Sequence, residues 1–157
     1  ADLNLRLSCR TRLLGDAFVE LKRSEYIFDK DEKDGCIEKK SDWSGLGVAV
    51  DVGTTTVVLK LFDDNGNLLG EGFSLNSQSS IASDVIGRID AALRGRAWEL
   101  HESIVNCIDG LAKRVCADAN RSTDEIKRAV ITGNTAMMYL LTGRNPESIS
   151  KYPFELY

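Results

Sequence analysis

From Gly45 to Phe62 the chain reads GLGVAVDVGTTTVVLKLF: an apolar run, a short polar turn, then a second apolar run rich in β-branched residues. Side chains alternate in direction along an extended strand, so Val48, Val50 and Val52 share one face while Ala49 and Asp51 share the other. Val57, Val58, Leu59, Leu61 and Phe62 form the returning strand, with Lys60 its single charge. Asp63-Asp64-Asn65-Gly66-Asn67 follows, and Asn-Gly between two strand patterns signals a tight reversal. A third strand is expected over Leu68 to Leu75, weakened by Gly70 and Gly72.

The period then lengthens. After a polar loop from Asn76 to Ser80, Ser83 is placed to cap a helix from Asp84 to Arg94, with Asp84 complementing its dipole. Val85, Ile86, Ile89, Ala92 and Leu93 supply its apolar stripe, whereas Arg88 lies off the stripe and is expected in solvent, with contact to a phosphate or a partner as the alternative. A second helix runs from about Ala97 to Ala119, with Leu100, Ile104, Cys107, Ile108, Leu111 and Val115 facing a core. Arg128 to Thr132 makes a short strand, and Ala136 to Thr142 a helix that Gly143 closes and Pro146 stops. A strand reached through a helical crossover lies parallel to the first. The expected fold is therefore α/β: a mixed sheet, three antiparallel strands followed by a parallel one, with helices on both faces.

Candidate chemistry concentrates at two turns. Gly53, Thr54, Thr55 and Thr56 follow Asp51; Gly53 permits positive φ and a close approach of other atoms. Amides and hydroxyls gathered in such a turn suit a phosphate, and Asp51 could hold a hydrated Mg²⁺ against it. A plain Thr-rich hairpin turn is the competing reading. An aspartate between Val50 and Val52 in a core strand weighs towards use, since an idle buried carboxylate is costly. Gly133, Asn134 and Thr135 sit where a strand ends and a helix begins, a place that favours anions and ligands in α/β sheets. Helix capping by Asn134 or Thr135 is compatible with that role.

VAVDVGTTT followed by VVLKLFD resembles the first phosphate loop of the ASKHA superfamily of sugar kinases, heat-shock chaperones and actin. With NSQSSIASDVIGRI at 76–89 and VITGNTAMMYLLTGRNP at 130–146, the chain is most similar to the ATPase part of the reductive activators of corrinoid proteins. The likeness runs from Leu46 to about Pro153; it departs from the family at Ser77, where an Asn-Pro-Gln run is usual. It implies a ribonuclease-H-like (actin-like) lobe that binds ATP and Mg²⁺ through Asp51, Gly53 to Thr56 and Gly133 to Thr135. Asp51 would be the catalytic, Mg²⁺-positioning group. It implies further a corrinoid protein as partner, driven from Co(II) to Co(I), and leaves a homodimer open.

The segment Arg6-Leu7-Ser8-Cys9-Arg10 resembles the tail of a plant-type ferredoxin, in which Cys9 would be one ligand of a 2Fe-2S cluster. On that likeness residues 1–21 are the C-terminal tail of a ferredoxin-like domain, 22–45 a charged linker and 46–157 the first, incomplete lobe of an ATPase domain. The cluster would belong to the longer protein, since the other three ligands are absent here. The present chain alone is expected to be inactive.

Composition narrows the partners. A hydrophobic fraction of 43% in 157 residues is enough for one core. The net charge of −4 argues against a nucleic-acid surface or an anionic membrane, and no apolar run nears the about 20 residues that span a bilayer. Cys107 and Cys116 read as buried thiols, so a reducing cytoplasmic setting is expected, and His101 reads as structural or surface. Two alternatives stand beside the activator: a small-molecule kinase of the same superfamily, and a non-enzymatic partner-binding module on the same lobe.

Overall fold

The computed structural model describes residues 44–151. Three strands come first: β1 (Leu46–Val52), β2 (Thr56–Phe62) and β3 (Leu68–Leu75). Helices α1 (Val85–Ala91) and α2 (Ala97–Asp118) precede β4 (Ile126–Gly133), and α3 (Thr135–Leu141) follows it. The sheet order is β3-β2-β1-β4. β1 pairs antiparallel with β2, β2 antiparallel with β3, and β1 parallel with β4. The predicted mixed sheet is present, strand by strand.

Register explains the core. Val48, Val50 and Val52 pair with Leu61, Leu59 and Val57, and all six are buried on one face. Burying each such side chain is worth about 1.5–3 kcal/mol against leaving it in water. Leu100, Ile104, Leu111 and Val115 of α2, with Met137 and Leu140 of α3, complete the same cluster. The glycines that weaken β3 have a purpose here. A Cβ on Gly72 would lie 2.7 Å from Val115 Cγ2 and 3.2 Å from Leu111 Cδ1, so the bare strand lets α2 pack close.

The opposite face differs from expectation. Phe73, Leu75 and Val130 are 61%, 72% and 69% exposed, and Asp51 is exposed beside them. Helical cover there, expected from the sequence, is not found among the described residues. Asp51 is thus no buried carboxylate, and the cost of burial is not what argues for its use.

The first helix departs most. Asp84, not Ser83, caps it, its Oδ1 accepting from Gly87 N at 2.9 Å. The helix stops at Ala91 and passes through a wide turn, Ala92–Arg96, where Arg94 and Gly95 leave helical angles. Its buried face holds Arg88, Ile89 and Ala91, whereas Ile86 is 74% exposed. Both stripe assignments are reversed: Arg88 is fully buried and Ile86 faces water. Val85, Arg88, Ile89 and Ala92 fall at helical spacing, and this set faces inward.

Elsewhere the differences are small. β4 extends two residues before Arg128, to Ile126, and one beyond Thr132, to Gly133. Cys116 is buried and Cys107 half-buried. His101, expected to be structural or on the surface, is part-buried, its Nδ1 lying 2.6 Å from Leu141 O. Cys9, the tail 1–21, the linker up to residue 43 and Pro153 lie outside the described residues.

Candidate functional site

β1 and β4 run parallel, with Asp51 opposite Thr132 and Val52 opposite Gly133. Their carboxyl ends therefore release both candidate turns side by side, where ligands bind open α/β sheets. The side-chain amide of Asn134 donates to Thr54 Oγ1 at 3.3 Å. Turns 80 residues apart in sequence thus meet. Thr55, Asn134 and Thr135 are exposed around this point, and Gly53, Thr54 and Thr56 are partly so.

Each turn has a local reason for its shape. Gly53 N donates to Thr56 O at 3.0 Å, and a Cβ on Gly53 would lie 2.6 Å from that oxygen. Glycine is required there for close approach; positive φ, expected from the sequence, is confined among the described glycines to Gly45, Gly66, Gly95 and Gly143. The Gly53 amide is consequently spent inside the turn and does not face a ligand. On the other strand a Cβ at Gly133 would lie 2.8 Å from Val52 O, so glycine allows β4 to reach its last pairing with β1. Asn134 caps α3, its Oδ1 accepting from Met137 N at 3.0 Å. Capping and contact with the Thr turn are done by one side chain.

Beneath the turn lie three polar residues that sequence reasoning did not place in the site. Asn76, Gln78 and Arg88 are each fully buried. Asn76 Nδ2 donates to Gly53 O at 2.8 Å, and Asn76 N to Thr55 O at 2.8 Å. Asn76 Oδ1 accepts from Gln78 N at 3.0 Å. Gln78 Nε2 donates to Leu100 O at 3.0 Å, while its Oε1 accepts from Arg88 Nη1 at 3.3 Å. Arg88 Nε donates to Ala82 O at 2.9 Å. Arg88 Nη2 has no partner among the described residues. Burial pulls the guanidinium below its ordinary value, and the Asp84 carboxylate pushes the other way. The spacing of Arg88 from Val85 and Ile89 was the available signal; its buried partners were not readable from sequence.

The donor set suits a phosphate with a hydrated divalent cation. Among the described residues no three His, Cys, Asp or Glu side chains converge. A cation here would rest on the single Asp51 carboxylate, water and phosphate oxygens, which is how Mg²⁺ is usually held. Among the described residues no helix is long and apolar enough to cross a membrane.

The chain is similar to known proteins. The chain is 36% identical over 111 residues to the corrinoid activation enzyme RamQ of Eubacterium limosum, a match covering 69% of this chain and 19% of that protein. A solved reductive activator for corrinoid, iron-sulfur protein matches with a TM-score of 0.68 at 32% identity, over 73% of this chain and 19% of that one. This likeness agrees with the α/β, ribonuclease-H-like lobe. The chain spans 19% of the length of each of these relatives. Residues 46–157 match the family described as RACo middle region, and the chain belongs to that family.

Proposed function

We propose that this chain is the nucleotide-binding lobe of an ATP-dependent activator that returns the cobalt of a corrinoid protein from Co(II) to Co(I) in the cytoplasm. The observation that carries the reading is the Asn134–Thr54 contact, which gathers both sequence-predicted loops at the ends of parallel strands. The names of the two relatives supply the corrinoid partner and the reductive direction.

Asp51 would hold the hydrated Mg²⁺, and the hydroxyls of Thr54, Thr55 and Thr56 would donate to phosphate oxygens. With the Gly53 amide committed to Thr56 O, the amides beyond it are left to face the nucleotide. Asn134 and Thr135 sit at the amino end of α3, close enough for Asn134 to orient the Thr54 hydroxyl. A 2Fe-2S centre, to which Cys9 would contribute a ligand in the longer protein, would supply the electron that Co(II) takes up, and hydrolysis of ATP by water to ADP and phosphate would supply the driving force.

The test follows cobalt. A polypeptide of the relatives' length carrying this chain, reduced and mixed with a Co(II) corrinoid protein, should produce the Co(I) absorption band only with Mg·ATP. Asp51→Ala should abolish that band. Equal reduction without ATP, or in the variant, contradicts the proposal. The partner-binding module is kept as a second reading by the exposed Leu75 and Val130; it predicts partner binding indifferent to Asp51→Ala.

A further inference from the structure

We infer that Asn76 is the positioning residue of the Thr turn, held in place by Gln78 and Arg88; the inference rests on the nucleotide-binding reading of that turn. Asn76 is fully buried, yet every polar group on it is engaged. It holds Gly53 O and Thr55 O at 2.8 Å each, clamping the backbone on both sides of Thr54. The two pinned carbonyls bracket Thr54 and Thr55, so the backbone between them has fewer ways to move and Asn76 limits where the Thr54 hydroxyl can sit.

The clamp is part of a closed circuit. Met137 Sδ accepts from Asn76 Nδ2 at 3.8 Å and from Arg88 Nη1 at 3.4 Å. Met137 N is bound to Asn134 Oδ1, and Asn134 Nδ2 to Thr54 Oγ1. The path from the turn through Asn76, Gln78, Arg88, Met137 and Asn134 therefore returns to the turn. It locks both loops to one rigid support.

Arg88 explains why the support is polar. A buried guanidinium with carbonyl, amide and thioether acceptors but no carboxylate costs stability relative to a well-packed apolar residue. Its planar fork, however, fixes direction. Nε on Ala82 O and Nη1 on Gln78 Oε1 anchor the Gln78 side chain and so the residue, and the backbone N–H of Gln78 donates to Asn76 Oδ1. The geometry gained is that of the turn.

The test is Asn76→Asp, which keeps the acceptor for Gln78 N and replaces the donor to Gly53 O by an oxygen. Amide hydrogen exchange at Gly53, bound to Thr56 O, and at residue 76, bound to Thr55 O, is read in the full chain without nucleotide. Mg·ATP affinity is read in the longer polypeptide. Exchange at the turn should accelerate about tenfold or more, and Mg·ATP should bind about tenfold more weakly, as loss of a buried hydrogen bond implies. Arg88→Lys, which keeps the charge without the fork, should move both in the same direction by less. Unchanged exchange at the turn in Asn76→Asp overturns the positioning role. Accelerated exchange in a protein whose wild type binds no Mg·ATP upholds the clamp and overturns the nucleotide reading instead.

Discussion

Asn134 donates to Thr54 Oγ1 across 3.3 Å while its own Oδ1 caps α3 at Met137 N, 3.0 Å away. One side chain thus carries a local duty and a long-range one, and substitution can separate them. Asn134→Ala loses both and should lower stability by about 1 kcal/mol, the usual worth of a cap. Asn134→Ser keeps a capping oxygen but falls short of Thr54, so it should recover most of that stability in urea denaturation. Its Mg·ATP binding should stay weakened.

Arg88 should show how a buried charge is tolerated. Arg88→Met preserves much of the stem and strands Gln78 Oε1 and Ala82 O without a donor, a loss of about 1–3 kcal/mol. Arg88→Ala adds a cavity and should cost more, towards about 2–5 kcal/mol. Urea denaturation of both variants gives the order, and an alanine milder than methionine would contradict the packing described.

Two glycines should respond with opposite signs. Gly72→Ala drives a methyl to 2.7 Å from Val115 Cγ2 and should destabilise by about 1–3 kcal/mol. Gly110, inside α2, has nothing within 4 Å of such a methyl. Gly110→Ala should raise stability, by up to about 1 kcal/mol. Thermal melts of the pair decide it.

Acid should unfold the chain through known carboxylates. Hydrogen bonds from Arg121 first, then from Ser122 N, lower the Glu125 carboxyl from an ordinary 4.5 to about 2. Asp63 is lowered chiefly by Asn67, and Glu99 by Arg96. A carboxyl depressed in the folded state contributes stability above its unfolded value, and loses it as pH falls towards the folded one. Glu125→Gln should therefore be less stable than wild type at neutral pH, with the gap closing between pH 4.5 and about 2. Thermal midpoints measured across that range check it; a constant gap would assign Glu125 no titrating role.

Much of this fold was legible because strands and turns are local. β3 runs from Leu68 to Leu75 as the alternation predicts, and Gly66 takes the positive φ that the Asn-Gly signal demands. Asp51 and Gly133 sit at neighbouring strand ends, as the crossover argument requires. The rotation of α1 was not legible. In that short helix Val85, Ile86 and Ile89 define an apolar arc, but the helix is rotated from it so that Arg88 turns inward, where Gln78, Ala82 and Met137 accept from it. Those partners come from two segments, the loop before the helix and α3, so neither the burial of Arg88 nor the clamp by Asn76 can be read from the helix pattern itself. The exposure of Asp51 was misread for the same reason: which face of a strand is covered depends on elements far along the chain.

The most direct measurement is Mg·ATP binding by calorimetry, on this chain and on a polypeptide of the relatives' length that carries it, each with and without Asp51→Ala. The longer form should bind, and Asp51→Ala should remove or greatly weaken that binding. Failure of the longer form to bind any nucleotide, or binding indifferent to Asp51→Ala, would contradict the phosphate-turn assignment and leave the Thr turn as a structural hairpin.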